Sequence, residues 1–188
     1  MKRSHVLNDR EIKRVFATIT RSAFPARNSA MFMLSIYAGM RVGEVAALRF
    51  ADVIGADGNV LAELRLAAEQ TKGERGRVVY VPEKLRKEPH NYVQTFARND
   101  ATRPLFYTQK REGWTANTLT QHFHYLYRRA GLVGASSHSG RRTFLTTLAN
   151  KGIGIRVLQA LAGHRDIRTT SVYIEANDAL KRAAVELV

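Results

Sequence analysis

Arg41, Lys72, His138, Arg141, His164 and Tyr173 are the residues whose types and placing allow joint chemistry. Arg41 stands in Ala38-Gly39-Met40-Arg41-Val42-Gly43-Glu44, a tight corner where two glycines and apolar neighbours leave little room for a floating guanidinium. It is either anchored there or is an ordinary cation at a helix end. Glu44, three residues on, lies beside Arg41 if the turn is helical, and either orients it or forms a plain ion pair. His138-Ser139-Gly140-Arg141 opens a helix. The i, i+3 spacing sets imidazole and guanidinium on neighbouring faces near the first amides, a geometry for an anion. A capping histidine beside a surface arginine reads the same. Arg142 points about 100° away around that helix, toward flanking backbone or solvent.

His164 follows Leu161-Ala162-Gly163, and Tyr173 closes Thr169-Thr170-Ser171-Val172. Either threonine is a candidate cap for a short helix carrying the tyrosine, and a tyrosine in such a place is by default a core or rim residue. Lys72 sits in the polar run Gln70-Thr71-Lys72-Gly73-Glu74-Arg75-Gly76, where a solvated loop lysine is the commonest case. His5, His90, His122 and His124 have no zinc spacing, and the His-x-His pair falls on opposite sides of its helix. No metal and no cofactor are expected. Taken singly these signals are weak; together, two arginines, two histidines, a lysine and a tyrosine form a set suited to a phosphodiester.

The chain has 188 residues with 30 Lys+Arg against 16 Asp+Glu, a formal charge of +14. Excess positive charge on a folded domain points to a polyanion, nucleic acid first, because each cation set against a phosphate releases condensed counterions. Charge serving solubility alone is the competing explanation. Apolar residues make up 45% of the chain, enough for a core and too many for a disordered polycation. There are no cysteines, which excludes a disulfide scaffold, thiol catalysis and cysteine-ligated zinc. No run reaches the roughly 18 apolar residues of a membrane span, and the N-terminus lacks the apolar run of a secretory signal. The expected location is cytoplasmic, associated with the nucleoid, with no membrane partner.

The elements that must position these residues are mostly helices. Asn8 followed by Glu11 reads as a capping box ahead of Ile12, Val15, Phe16 and Ile19. A second helix runs from Ala26 to Ala38 and stops at Gly39; a third covers Val42 to Leu48. Alternation predicts strands over Val60–Leu66 and Val78–Val81, paired as a small antiparallel hairpin. A helix broken at Pro89 occupies much of Glu83–Arg98. Further helices are predicted over Thr115–Ala130, His138–Lys151, Ile155–Ala162 and Asp178–Leu187, with glycine ending the first three. The predicted class is mainly α with a small antiparallel β-sheet (α+β), in a single domain over residues 1–188.

In this order the motifs resemble the tyrosine recombinase (phage integrase) family. The resemblance rests on Gly39-Met40-Arg41-Val42-Gly43-Glu44, Thr71-Lys72-Gly73, His138-x-x-Arg141 and Leu161-Ala162-Gly163-His164 ending in Thr169-Thr170-Ser171-Val172-Tyr173, and covers essentially the whole chain. Ser139-Gly140 departs from the acidic or apolar pair more usual there. The resemblance implies a tyrosine recombinase catalytic domain acting on double-stranded DNA. Tyr173 would attack a phosphate to make a 3′-phosphotyrosyl bond, conserving bond energy without ATP or a metal. An unperturbed tyrosine titrates at about 10, so about one in a thousand is phenolate near pH 7, and attack needs a proton acceptor, which the resemblance makes His138. By the same resemblance Arg41 and Arg141 neutralise the charge on phosphorus, each planar guanidinium holding two oxygens. Lys72 is the general acid for the leaving 5′-oxygen, His164 bonds the phosphate or packs beside Tyr173, and Glu44 supports Arg41.

Arg75, Arg77 and Arg142, with Arg128 and Arg129, are candidate contacts to DNA phosphates or are simply solvated. The family also implies a homo-oligomer on DNA, a tetrameric synapse, with accessory DNA-bending proteins as candidate partners. The C-terminal tail, about residues 177–188, carries Leu180, Ala184 and Leu187 and either exchanges between protomers or packs on its own domain. No core-binding domain precedes the first helix, so the expectation is a catalytic fragment or a compact enzyme similar to the fimbrial-switch invertases. A DNA-binding regulator that cuts nothing, and a type IB topoisomerase-like relaxing enzyme, remain the alternatives.

Overall fold

A computed structural model of the chain describes residues 4–71, 75–83, 85–86, 92, 101–108, 113–174, 182 and 185–186. Helix α1 (Asp9–Thr20) begins at a reciprocal capping box: Asn8 accepts from the Glu11 amide at 3.0 Å, and Glu11 accepts from the Asn8 amide at 2.9 Å. Helix α2 (Pro25–Tyr37) starts with proline, whose missing N–H is one the first turn does not use. It is buried along most of its length because it runs through the middle of the fold. It ends at Gly39, where φ is +64° and a Cβ would collide with the ring of Phe144. Only glycine tolerates both the left-handed backbone and that contact. The resulting corner launches α3 (Val42–Ala47), and a short α4 (Phe50–Val53) follows, started by Asp52 accepting from the Arg49 amide.

Strands β1 (Glu63–Leu66) and β2 (Arg77–Tyr80) pair antiparallel, with Leu64 opposite Val79 and Leu66 opposite Arg77. The first strand is shorter than its alternation predicts, since Val60 forms an isolated bridge to Ile54. The second starts one residue early; Val81 still donates to Ala62 at 2.8 Å. A 3-10 turn over Ala68–Gln70 follows β1, tied down by Gln70 to the Ala47 carbonyl and the Asp52 carboxylate. The hairpin tip with Lys72, most of the helix expected over Glu83–Arg98 and most of that expected over Asp178–Leu187 lie outside the described residues.

Helix α5 (Ala116–Arg129) is capped by Thr115, buries Leu119, Phe123, Leu126 and Tyr127, and is closed by Gly131. Helix α6 (Ser139–Asn150) is followed by α7 (Ile155–Ala162) and α8 (Ile167–Ser171). The cap of α8 is Asp166, which accepts from the Arg168 amide at 2.8 Å. Thr169 and Thr170, expected as caps, lie inside the helix, because the carboxylate upstream takes the free amide first.

α2 packs against α6, α3 against α5, and α7 against both α6 and α8. One continuous core, from Leu7 through Met31, Phe32, Val45 and Leu64 to Phe123 and Leu132, holds the layers together. Among the described residues the fold is mainly helical with one small antiparallel sheet, and no helix there is long and apolar enough to cross a membrane.

Candidate active site

The C-terminal end of α7 organises the site. The last carbonyls of a helix have no partner within it and carry the negative end of its dipole. Here each takes an arginine: Arg77 donates to Leu161 O at 2.8 Å, Arg141 donates to Ala162 O, and Arg41 donates to Gly163 O at 3.4 Å. Gly163 is left-handed, φ +60°, and a Cβ on it would stand 2.8 Å from Arg77 Cδ and 4.0 Å from Arg41 Nη1. Glycine therefore both ends the helix and admits the guanidiniums.

Glu44, 1% exposed, binds two of these arginines from below. It accepts from the Arg41 amide and from Arg41 Nη1, both at 2.8 Å, and from Arg77 Nε at 3.0 Å and Nη2 at 2.7 Å. Burial pushes its carboxyl pKa up, but the hydrogen bonds and charge of Arg77, then those of Arg41, hold it below the usual value. Arg141, 4% exposed, also donates to Gly39 O at 2.8 Å, the end of α2. Burial, then the neighbouring Arg41 and Arg77, press its pKa down to about 9, with Glu44 opposing. Among the described residues three guanidiniums face one carboxylate, an excess of two positive charges. That imbalance suits an anion held by planar donors that are charged near pH 7.

Arg141 Nη2 lies 3.1 Å from His164 Nε2, and His164 Nδ1 lies 3.0 Å from Thr170 Oγ1. A guanidinium only donates, so Nε2 accepts and the ring proton is assigned to Nδ1, donating to Thr170. Burial first, then the charges of Arg141, Arg41 and Arg77, lower the His164 pKa to about 4, so the ring is neutral near pH 7. Tyr173 stacks on it, with centroids 6.0 Å apart and planes 14° apart. The turn that carries Tyr173 is closed by its amide donating to Thr170 O at 3.0 Å.

Arg41, Arg141, His164, Tyr173 and Glu44 thus come together from α2–α3, α6, α7 and α8. His138 is exposed at the N-cap of α6, and Lys72 lies outside the described residues. Among the arginines expected to face DNA, Arg75, Arg128 and Arg129 are exposed and Arg142 is half-buried. Arg77 is turned inward, with 9% of its side chain exposed. Its signal was available: alternation that places Val79 and Val81 inward places Arg77 inward too, opposite buried Leu66. Thr170, a candidate cap by its position in the sequence, is fully buried and bonded to His164 instead. Among the described residues no group of three or more His, Asp or Glu side chains is placed to hold a metal ion.

Residues 5–179 match the phage integrase family. The tyrosine recombinase XerA of Pyrococcus furiosus is 27% identical over 183 residues, 96% of this chain and 60% of that protein. The tyrosine recombinase XerD of Neisseria meningitidis serogroup B is 28% identical over 176 residues, 89% of this chain and 57% of that protein. The chain spans about 60% of the length of such curated relatives. In fold it matches the crystal structure of XerA recombinase with a TM-score of 0.78 at 24% identity, over 100% of this chain and 66% of that one. XerH recombinase bound to difH substrate matches with a TM-score of 0.68 at 24% identity, over 95% of this chain and 53% of that one.

Proposed function

The chain belongs to the phage integrase family, and from that premise we propose that it is a tyrosine-type site-specific recombinase, cleaving and rejoining DNA strands through a 3′-phosphotyrosyl intermediate. The observation that carries this reading is the seating of the Tyr173 ring on His164, which is itself bonded to Arg141 in a cage with two positive charges in excess. The scissile phosphate takes the place of the missing counter-charge. Arg41 and Arg141 hold its non-bridging oxygens, and their charge does not change as the phosphorane builds up. Their carbonyl partners at the ends of α2 and α7 fix both guanidiniums before DNA arrives, so little reorganisation is left for the transition state.

The phenolic oxygen of Tyr173 attacks phosphorus and its proton passes to His138. The P–O5′ bond breaks, and Lys72 protonates the departing oxygen. The 5′-hydroxyl of a partner strand then attacks the phosphotyrosine and gives its proton to Lys72, the P–O bond to tyrosine breaks, and Tyr173 recovers its proton from His138. His164, neutral and tied through Nδ1 to Thr170, supports the phosphate or the tyrosine rather than carrying charge. Exchange between two duplexes cut in both strands requires one tyrosine per cut, which is the tetrameric synapse of this reading.

Nicked duplexes of randomised sequence, which trap a cleaved strand, test it on a denaturing gel. The parent chain is expected to give a covalent adduct, and Tyr173→Phe is expected to bind DNA without forming one. An adduct that persists in Tyr173→Phe removes Tyr173 as the nucleophile. Relaxation of supercoiled DNA lacking any enriched site would favour a topoisomerase instead.

A further inference from the structure

We propose that Arg142 is a positioning residue for Tyr173, holding the ring against His164 through a cation–π contact, and is not a DNA-phosphate contact. The inference rests on the reading of Tyr173 as the nucleophile. Arg142 follows Arg141 on α6, but its side chain leaves the helix in another direction. Its Cζ stands 5.7 Å from the centroid of the Tyr173 ring. Among the described residues its Nε is buried with no hydrogen-bond partner, and its guanidinium forms no ion pair. A guanidinium that gives up water at one nitrogen without gaining a carboxylate needs another source of negative potential, and the face of an aromatic ring supplies it.

The contact matters because of where Tyr173 sits. It lies in a turn after a helix of only five residues, so the local backbone alone does not fix the ring. His164 is fixed at both nitrogens, by Arg141 and by Thr170, and sets the plane of the ring through the 14° stack. Arg142, anchored on the twelve-residue α6, adds a second contact from a different element. Two fixed neighbours, one on α6 and one in the turn after α7, hold the phenol near one orientation, and attack on phosphorus depends steeply on such alignment.

The test compares parent, Arg142→Met and Arg142→Lys in two reactions on duplexes enriched by the parent chain. Cleavage of the nicked duplex needs Tyr173. Joining, run in a Tyr173→Phe background, does not: a 5′-hydroxyl attacks a 3′-p-nitrophenyl phosphate placed where the parent chain's adduct forms and expels p-nitrophenolate. Arg142→Met should cleave about tenfold more slowly, a barrier rise of about 1.4 kcal/mol. Its DNA affinity and its joining rate should match those of the respective parents, and Arg142→Lys should recover most of the cleavage. Joining or affinity that falls along with cleavage makes Arg142 a phosphate contact and overturns the proposal, as does unimpaired cleavage by Arg142→Met. Absence of any adduct from the parent chain removes the reading of Tyr173, and this inference with it. Independently of activity, the Arg142 Nε–H resonance should lose its ring-current shift in Tyr173→Leu; an unmoved resonance also overturns the contact.

Discussion

Arg77 donates to both oxygens of Glu44, 3.0 Å from Nε to Oε1 and 2.7 Å from Nη2 to Oε2, with 9% and 1% of the two side chains exposed. The pair joins the sheet to α3 and sets the carboxylate that orients Arg41. Removing one partner of a buried pair leaves the other charge desolvated, which typically costs about 3–5 kcal/mol. Arg77→Met leaves Glu44 with Arg41 alone, so the expected loss is at the lower end, about 3 kcal/mol, read from the urea midpoint. Arg77→Lys keeps the charge but loses the fork and should recover only part. An unchanged midpoint in Arg77→Met would show that the pair contributes nothing net.

Acid should weaken the fold in two separable stages. The pKa of His164 is lowered to about 4 by burial and the three arginines, and that of His122 to about 4 by burial and Arg27. The unfolded chain takes up these protons near the ordinary value of about 6.5, before the folded chain does. Stability therefore falls as pH drops from about 6.5 toward about 4. The pKa of Glu44 is also depressed, so its contribution is present above the unfolded carboxylate value and is lost only as pH falls through the folded one. Urea unfolding at a series of pH values should show a shallower upper slope in His164→Gln and a flatter one when His122 is replaced as well. Glu44→Gln should lower stability at neutral pH, because Arg41 and Arg77 lose their carboxylate, and should change the pH slope in the lower stage alone. A parent chain whose stability does not change between pH 6.5 and 4 would contradict the neutral, half-buried imidazoles.

The excess charge of the cage should be measurable without DNA. An inorganic phosphate seated between Arg41 and Arg141 binds the folded chain alone and stabilises it, by about 2.7 kcal/mol at a hundred times its dissociation constant. Phosphate also stabilises proteins generally by exclusion from their surface, so the informative quantity is the difference between chains. The melting temperature of the parent should climb more steeply with phosphate than that of Arg41→Gln or Arg141→Gln. Parallel curves would mean that the guanidiniums hold no anion.

How much of this could be read from the letters depends on whether the determining contact is local. The Asn8–Glu11 capping box and the helices closed by Gly39, Gly131, Gly152 and Gly163 depend on groups within a turn of each other, and all are where the pattern places them. The cap of α8 was not decided that way: Asp166, Thr169 and Thr170 all offer an oxygen within a few residues. The order in which free amides meet acceptors makes Asp166 the cap and leaves Thr170 to His164. The role of Arg77 depends on Glu44, far away in the chain, and the composition of a basic protein hides one inward arginine among many outward ones. The socket at Leu161, Ala162 and Gly163 could not be read at all, because it consists of backbone carbonyls, which every residue has.

Gly163 joins the helix end to the charge cage, and comparing it with Gly131 separates the two demands. Both are left-handed, at φ +60° and +68°, so alanine costs each about 1–2 kcal/mol from the backbone alone. At Gly131 a Cβ meets nothing within 4 Å, whereas at Gly163 it meets Arg77 Cδ at 2.8 Å. Moving Arg77 disturbs its bonds to Glu44 and to Leu161 O, and through Glu44 the orientation of Arg41. Gly163→Ala should therefore lose stability beyond Gly131→Ala by about 1 kcal/mol or more, the scale of a lost charged hydrogen bond. It should also form the DNA adduct more slowly, while Gly131→Ala forms it at the parent rate. Equal urea midpoints and equal adduct rates for the two variants would show that Arg77 yields freely and that the cage does not depend on a bare backbone at that corner.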